Sequence, residues 1–320
     1  MMPDGTLFSA DRKSSMFTIL ITGGTGVIGR HAARLLGKRG HLVRVLSRRA
    51  NPSVALLRGL SNIEYVQGNV RDPVTLARAF EGCDAAVLSH QFQNFPVENP
   101  KTHDTFDAVD RAGTENCMRA AQHAALKRLV YISGIALSNA NPPHPGTAAK
   151  LAAERAVFES GVSAVSLRVN VVYAPDDKYF PLLGRAAKWS PLVPIFGNGA
   201  ARCAPVHVGD VARAIAYAVE RPEVGGVVGV CGADEVSWKE LLLTVAEVGA
   251  GSKRWPLHIP QGLLYLAGAI SEKLPAPKLS RAAVTFATQF DQRCASPNCD
   301  EVFGFRVMGL REGLRAAFGD

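Results

Sequence analysis

The architecture of this chain follows from Phe17-Thr18-Ile19-Leu20-Ile21-Thr22-Gly23-Gly24-Thr25-Gly26-Val27-Ile28-Gly29. Its first six residues are apolar or β-branched and predict a strand, and a helical pattern follows Gly29. Gly23, Gly26 and Gly29 have separate tasks in a dinucleotide-binding turn: a sharp bend, a close backbone approach to the diphosphate, and close packing of helix on strand. We therefore predict a dinucleotide site, with the diphosphate facing the first amide groups of the helix. The alternative is a structural turn that binds nothing.

The residues after the second predicted strand, 42–46, indicate which dinucleotide binds. They are Ser47-Arg48-Arg49, whereas a site specific for NAD usually has an acidic residue here that binds the ribose 2′-hydroxyl. An acidic residue would repel a 2′-phosphate, and a guanidinium group pairs with one. NADP(H) is therefore favoured over NAD(H), with Arg48 and Arg49 at the 2′-phosphate, unless these arginines are merely solvated.

Strands and helices alternate along the first two thirds of the chain. Further strands are predicted at residues 63–67, 85–88, 128–132, 165–172 and 226–231, and helices at residues 73–80, 106–124, 212–220 and 237–248. This alternation predicts an α/β fold with a doubly wound parallel sheet (Rossmann) and a smaller C-terminal lobe. Ligands of such sheets bind beyond the carboxyl ends of the strands, so Asn69, Ser89 and His90 are candidate lining residues.

We expect three parts in the chain: a disordered tail over residues 1–16, an NAD(P)-binding domain over residues 17–235, and a small lobe for a substrate or partner over residues 236–320, to which residues 176–204 contribute. Residues 180–194 predict a helix and a proline-bounded connection. Residues 255–320 predict short helices and loops. Asp210 is expected to cap the helix at 212–220.

Charge and hydropathy limit the function classes. The 320 residues have a net charge of +8, and ten Lys or Arg but no Asp or Glu lie between Arg12 and Ile63. This distribution favours a phosphorylated ligand or a docking surface over nucleic acid. The longest apolar run, Gly262–Ile270, is about half the length of a transmembrane segment. We expect it to be a short buried helix, with contact to a membrane surface as the alternative.

The N-terminal residues and the cysteines indicate a compartment. Residues 1–15 lack the pattern of a secretory or transit signal, so we expect a cytoplasmic protein, or one held peripherally on a membrane complex. The six cysteines are scattered, and no Cys and His have the spacing of a zinc site. We expect thiols rather than disulfides, and no metal. The cysteines are Cys83, Cys117, Cys203, Cys231, Cys294 and Cys299.

Six motifs are similar to those of one superfamily. They are Thr22-Gly23-Gly24-Thr25-Gly26-Val27-Ile28-Gly29, Gly68-Asn69-Val70-Arg71-Asp72, Asp110-Arg111-Ala112-Gly113-Thr114-Glu115-Asn116, Val130-Tyr131-Ile132-Ser133, Leu167-Arg168-Val169 and Pro205-Val206-His207-Val208-Gly209-Asp210-Val211-Ala212. Over residues 17–220 the chain resembles the extended and atypical short-chain dehydrogenases/reductases, which are NAD-dependent epimerase/dehydratase-like. Within them it resembles the branch that contains the nucleotide-binding accessory subunit of respiratory complex I.

This resemblance extends the predicted cofactor site to several strand ends, with the adenine near Asn69 and the ribose on Lys150. The predicted cofactor-binding residues are Gly23, Thr25, Gly26, Val27, Ile28, Gly29, Arg48, Arg49, Asn69, Val70, Ser89, Ser133, Lys150 and Val169.

The resemblance also implies a catalytic tyrosine four residues before a lysine, with a Ser or Thr nearby. The tyrosine transfers the proton, and the lysine lowers the pKa of the tyrosine and holds the nicotinamide ribose. Lys150 fits the lysine position, but Gly146 stands where the tyrosine is expected, and Ile135 stands at the Ser/Thr position. Tyr173, His144 and His90 are conceivable substitutes for the acid, without support from spacing.

Two functions follow from these observations. The first is an NADP(H)-dependent oxidoreductase of atypical mechanism that acts on a small-molecule substrate, with Lys150 in a ribose-binding role. The second is a non-catalytic NADP(H)-binding structural or sensing protein that has a protein partner. The missing tyrosine favours the second, and the polar loop over residues 90–104 and the C-terminal lobe favour the first.

Overall fold

The computed structural model describes residues 16–135, 144–274, 277–289, 291–294 and 297–318. Residues 1–15 of the predicted tail lie outside them. The strands are β1 (Thr18–Thr22), β2 (Leu42–Ser47), β3 (Ile63–Gln67), β4 (Ala85–Leu88), β5 (Arg128–Gly134), β6 (Ala164–Val169), β7 (Val172–Tyr173), β8 (Leu192–Phe196), β9 (Arg202–Cys203), β10 (Val206–His207), β11 (Gly226–Val230), β12 (Val236–Ser237) and β13 (Trp255–Ile259).

The described helices cover both faces of the main sheet or belong to a second group beside it. They are α1 (Val27–Lys38), α2 (Pro73–Phe80), α3 (Ala112–His123), α4 (Pro145–Glu159), α5 (Phe180–Ala186), α6 (Val208–Glu220), α7 (Trp238–Ala250), α8 (Gln261–Ser271), α9 (Arg281–Gln289), α10 (Cys299–Phe303) and α11 (Leu310–Phe318). A π-helical segment, Phe106–Arg111, leads directly into α3. None of the described helices is both long and apolar enough to cross a bilayer.

The main sheet has seven parallel strands in the order β3-β2-β1-β4-β5-β6-β11. One buried apolar cluster joins the sheet to α1 and α6, and a second joins its other face to α2, α3 and α4. The predicted doubly wound sheet is therefore confirmed. The strand order reverses direction between β1 and β4, which is where ligands bind in open α/β sheets.

A second group of elements packs beside the sheet. Helix α5 packs on α7, α11 also packs on α7, and β8 pairs in parallel with β13. The predictions of a helix with a connection over residues 180–194 and of helices and loops after residue 255 missed both strands. The physical signal for β8 is period-two burial, because Val193 and Ile195 are buried while Leu192, Pro194 and Phe196 are exposed. The proposed division at residue 235 stays a prediction.

The start of α6 corrects the expected role of Asp210. The helix begins at Val208, and the side chain of His207 accepts the capping hydrogen bond from the Gly209 amide at 3.1 Å. Asp210 is fully buried in the first turn and accepts a hydrogen bond from the Met308 amide at 2.8 Å. Its carboxylate therefore ties α6 to the segment before α11 instead of capping the helix.

The expectation that the cysteines stay unpaired is wrong for two of them. Cys231 and Cys294 form a disulfide between residues 63 positions apart, so spacing in the sequence gave no sign of the pair. Cys83, Cys117, Cys203 and Cys299 are free and buried. The bond joins the end of β11 to the segment before α10.

Candidate active site

The three glycines in the turn between β1 and α1 differ in the space that is available for a side chain. Gly23 has φ +67°, and a Cβ there would lie 2.5 Å from the carbonyl oxygen of Ser89. A Cβ on Gly29 would lie 2.4 Å from the carbonyl oxygen of Gly23. At Gly26 the nearest atom would be 3.1 Å away, and the residue is exposed. The turn therefore bends at Gly23, packs α1 through Gly29 and leaves the approach to Gly26 open.

The first turn of α1 leaves its amide groups available to an anion. Gly26 is its N-cap and supplies no side-chain hydrogen bond, and the first turn contains no acidic residue. Thr25 is exposed beside it, and Val27 and Ile28 are half-buried. Uncapped amides at a helix N-terminus are a suitable site for a diphosphate.

The two arginines after β2 lie at the same edge of the sheet. Both Arg48 and Arg49 are exposed, and the Arg49 amide donates to Ser47 Oγ at 3.1 Å, which fixes the turn. One guanidinium nitrogen of Arg48 lies 3.9 Å from a carboxylate oxygen of Asp104. Another nitrogen donates to Gln93 Oε1 at 3.4 Å. These long contacts leave the Arg48 guanidinium reachable for a phosphate.

The predicted residues at the other strand ends follow the sheet. Ser89 Oγ donates to the Thr22 carbonyl at 2.8 Å, and Asn69 Oδ1 accepts from the Arg71 amide at 3.1 Å. Val70 and Val169 are buried. Each of these residues lies at or just after a strand end, so all four border the edge where the glycine turn lies.

Ser133 provides an independent sign of a ligand. Its Oγ is buried at the end of β5 and has no hydrogen-bond partner among the residues that the structure describes. Buried hydroxyl groups are normally paired, and an unpaired one requires an explanation such as an absent ligand. The open glycine turn and this hydroxyl fit a dinucleotide at this edge.

Lys150 forms a buried ion pair with Asp110. Its Nζ lies 2.9 Å from Asp110 Oδ1, and it donates to the Ile132 carbonyl at 3.5 Å. The Asp110 side chain is inaccessible to solvent, and 14% of the Lys150 side chain is exposed. Burial acts to lower the pKa of Lys150, but the Asp110 carboxylate outweighs it and raises that pKa above its ordinary value. The ammonium group is therefore protonated at neutral pH and can donate to ribose hydroxyls.

Gly146, where the resemblance implies a tyrosine, is closed by an aromatic ring. A Cβ on Gly146 would lie 2.6 Å from Phe106 Cε1. Phe106 is buried and meets the His144 ring edge-on, at a centroid distance of 5.6 Å. The ring occupies the space that a larger side chain at residue 146 would need. Packing therefore replaces a hydroxyl group at this position.

The three conceivable acid substitutes are all engaged in the fold. His90 is buried between Thr22 Oγ1, at 2.8 Å from Nδ1, and Thr114 Oγ1, at 3.2 Å from Nε2. Burial, together with the charge of Lys150, lowers the pKa of His90 to about 3, so it is neutral. His144 Nδ1 accepts from the Gly146 amide at 3.0 Å and its Nε2 donates to the Ala282 carbonyl at 3.1 Å. Each ring nitrogen of His90 and His144 thus has a structural partner.

Tyr173 belongs to a different part of the molecule. Its ring lies in the buried cluster formed by α5, α7 and α11, and a Cβ on Gly313 would come 2.0 Å from its hydroxyl oxygen. Burial raises the pKa of this hydroxyl above its ordinary value. We therefore assign Tyr173 to packing.

Sequence reasoning missed two residues of the site, Phe106 and Asp110. Both come from the π-helical segment, whose wider turn brings Phe106 onto Gly146 and Asp110 onto Lys150. Such segments are frequent at functional sites. The signal for Asp110 in the sequence was an acidic residue within the predicted helix over residues 106–124. Its neighbours Val109 and Thr114 are buried in the structure. No group of three or more His, Cys, Asp or Glu suited to a metal occurs within the described ranges.

Comparison with known proteins places this geometry in a family. The profile of the NAD dependent epimerase/dehydratase family matches residues 19–231. The ceramide reductase of Caulobacter vibrioides is 30% identical over 253 residues, which are 79% of this chain and 76% of that protein. Mitochondrial subunit 9 of the NADH dehydrogenase (ubiquinone) 1 alpha subcomplex from Arabidopsis thaliana is 24% identical over 277 residues, 83% of this chain and 65% of that protein.

A solved structure agrees in fold. MoeE5 in complex with UDP-glucose and NAD superposes with a TM-score of 0.71 and 22% identity, covering 94% of this chain and 97% of that chain. At this identity the likeness shows the fold alone. The family match confirms the superfamily expected from the six motifs, and the complex I subunit is one of the relatives. The chain belongs to the NAD dependent epimerase/dehydratase family.

Proposed function

We propose that the chain is an NADP(H)-dependent reductase of atypical mechanism. The observation that carries the proposal is the convergence, at one sheet edge, of the uncapped start of α1, the two exposed arginines after β2 and the protonated Lys150. In the proposed complex α1 binds the diphosphate, Arg48 and Arg49 bind the 2′-phosphate, and Lys150 binds the nicotinamide ribose. The adenine lies near Asn69.

The chemistry divides between the cofactor and the chain. When bound, NADPH supplies the hydride that reduces a carbonyl group. Lys150, held by Asp110, favours the negative charge that develops on the carbonyl oxygen, and Ser133 Oγ is the neutral donor for the same oxygen. Because Gly146 offers no hydroxyl, we infer that water delivers the proton, so turnover is slower than in relatives that have a positioned acid, which typically contributes about 10²- to 10⁴-fold.

The similarity to ceramide reductase supports a substrate class. That protein is 30% identical to this chain over most of both chains. We propose that the substrate here is likewise a long-chain lipid with a carbonyl group. The substrate would approach from the side where the C-terminal elements meet α4, since Ala282 of α9 contacts His144 at the start of α4.

A second candidate function is a structural or sensing protein that binds NADP(H) without turnover. Phe106 favours it, because the ring fills the space that a proton-donating side chain at residue 146 would use. The likeness to the complex I subunit is consistent with this role. The two candidates share the cofactor site and differ in hydride transfer.

The test is NADPH oxidation, followed by loss of absorbance at 340 nm, across a panel of ketones that includes long-chain lipid ketones. The reductase predicts turnover that Lys150→Ala abolishes and that Lys38→Ala, at an exposed lysine of α1, leaves unchanged. Saturable NADPH binding without oxidation of any ketone would favour the second candidate. Absence of both binding and turnover would contradict both.

A further inference from the structure

The outer face of the β8–β13 ribbon is apolar. In this parallel pair Leu192 lies opposite Trp255, Pro194 opposite Leu257, and Phe196 opposite Ile259. Opposed residues share a face of a sheet, so these six side chains point the same way. Val193 and Ile195 point to the other face and are buried against α7. Leu192, Phe196, Trp255 and Leu257 are 42–56% exposed.

Helix α8 continues this apolar surface along the chain. It begins two residues after β13 ends, and Leu263, Leu266 and Ile270 are each 59% exposed. Their i, i+3, i+7 spacing puts them on one side of the helix. The opposite side packs on α9, where Tyr265 and Thr285 share a hydrogen bond of 2.7 Å. The expectation that this segment is a buried helix is therefore wrong. Gly268 is buried, but the other residues of α8 are exposed or half-buried.

Basic residues flank these apolar side chains in the sequence. Residues 178–196 and 251–281 together contain eight Lys or Arg and a single acidic residue, Glu272. Arg281 lies 2.9 Å from Glu272 and neutralises it. Lys188, Lys253 and Lys273 are exposed. We call the ribbon face, the exposed side of α8 and these basic residues the apolar-basic surface.

We propose that the apolar-basic surface docks on an anionic lipid bilayer. A helix that exposes apolar residues beside Lys and Arg lies in the interface of such a bilayer, and each basic residue adds attraction to anionic headgroups. Trp255 on the ribbon face, which is 56% exposed, is of the residue type enriched at that interface. A second copy is a poorer occupant, because two copies joined symmetrically through this surface would bring like charges together.

Docking through α8 would place the α8–α9 pair between the bilayer and the candidate site. Two contacts join this region to loops beside the site: His144 Nε2 donates to the carbonyl of Ala282 in α9 at 3.1 Å, and Asn94 Nδ2 donates at 3.1 Å to the carbonyl of Pro277, which lies between α8 and α9. A bilayer on the exposed side of α8 would therefore be separated from the start of α4 by the α8–α9 pair. This placement does not depend on turnover, so a protein that only binds NADP(H) would dock in the same way.

The experiment is sedimentation of the full chain with vesicles of phosphatidylcholine alone or of phosphatidylcholine with 30% phosphatidylglycerol, at low and high salt. We expect binding to the anionic vesicles that salt weakens. Leu266→Glu with Ile270→Glu should reduce the partition coefficient at least about tenfold. Lys273→Gln with Lys278→Gln should reduce it about 25-fold, since each lysine near the surface contributes about fivefold.

Matched controls separate the surface from general effects. Val74→Glu on α2 changes an equally exposed apolar residue elsewhere and should leave binding unchanged. Unchanged thermal unfolding would show that the variants fold. Failure of the wild type to bind anionic vesicles would overturn the proposal. A dimer seen by light scattering that Leu266→Glu dissociates, without vesicle binding, would assign the surface to a second copy instead and would also overturn it.

Discussion

The glycine turn and the start of α4 face the same edge of the sheet. Both contain glycines that have no room for a side chain, but the reasons differ. At the turn, Gly23 and Gly29 have no room for a side chain, and α1 is left uncapped for an anion. At α4, Gly146 is also closed to a side chain, but because Phe106 packs against it. In the proposed function, the same residue type thus serves cofactor binding in one place and stands in place of a catalytic group in the other. We infer that cofactor binding and proton transfer can change separately in this fold.

The largest expected effect is at the turn. Gly23→Val would place a β-branched residue at φ +67° with its Cβ 2.5 Å from the Ser89 carbonyl oxygen, so the turn must shift away from the diphosphate. We expect the dissociation constant for NADPH to rise about 1000-fold, the loss of two charged hydrogen bonds. Calorimetric titration measures it. Gly262→Ala, where a Cβ meets no atom within 4 Å, is the control. If a folded Gly23→Val variant kept its affinity for NADPH, the turn would not be part of the cofactor site.

The ion pair beneath α4 gives the next effect. Asp110→Asn leaves the buried Lys150 ammonium without its countercharge, which should lower the free energy of unfolding by about 3 kcal/mol in urea. Lys150→Met should cost a similar amount, and the double variant should lose less than the sum.

The exposed pair Arg306–Glu312, at 2.9 Å, serves as the control for this cycle, with an expected loss below about 1 kcal/mol. Strictly additive losses at Asp110 and Lys150 would mean that Asp110 does not hold Lys150. The π-helical segment would then have no role in positioning Lys150.

Much of the sheet was predictable because its signals are local. The strands at 63–67 and 85–88 and the helix that begins at Pro73 have the predicted bounds, since apolar runs and an Asp-Pro helix start depend on neighbours in sequence. The glycine turn was predictable for the same reason. Lys150 could be named from a motif, but its partner Asp110 could not, because a π-helical segment 40 residues earlier supplies it.

The same limit explains the errors in the second half. Cys231 and Cys294 meet only through the tertiary fold, and the apolar run of α8 has the composition of a core helix although its exposed side lacks a partner in the described structure. Composition alone could not distinguish these cases. The domain division and the site residues stay predictions.

A third effect concerns pH and His90. Its pKa is about 3 in the fold and about 6.5 when unfolded, because burial and the Lys150 charge disfavour protonation. The unfolded chain therefore takes up a proton below pH 6.5 that the native state does not. The contribution of His90 to the free energy of unfolding is complete above pH 6.5 and is lost as the pH falls toward 3. The loss is roughly 2.5 kcal/mol at pH 4.5. Urea unfolding from pH 7 to pH 4.5 measures this loss.

His90→Gln is the matched variant for the pH measurement. It should lower stability at pH 7, since it disturbs the contacts with Thr22 and Thr114, and should make the fall with acid less steep. Burial also lowers the pKa of His144 and His207, so part of the slope should remain. Equal slopes for the two proteins would show that His90 does not titrate as inferred.

The smallest effect tests the choice of dinucleotide. Arg48→Ala with Arg49→Ala should weaken NADPH about 30-fold through loss of charged hydrogen bonds to the 2′-phosphate, and should change NADH affinity little. Arg58→Ala removes a basic residue from the same segment and controls for general charge. If the variant lost equal affinity for NADPH and NADH, the arginines would attract both dinucleotides without selecting the 2′-phosphate. If it lost no affinity, the arginines would be merely solvated.

Calorimetric titration of the wild-type protein with NADPH and with NADH at low ionic strength tests dinucleotide binding itself. We predict saturable binding of one dinucleotide per chain, with the tighter constant for NADPH. Absence of heat and of any thermal shift with both nucleotides would contradict the account, because the glycine turn, the uncapped helix and the arginines would then form a shape without a ligand.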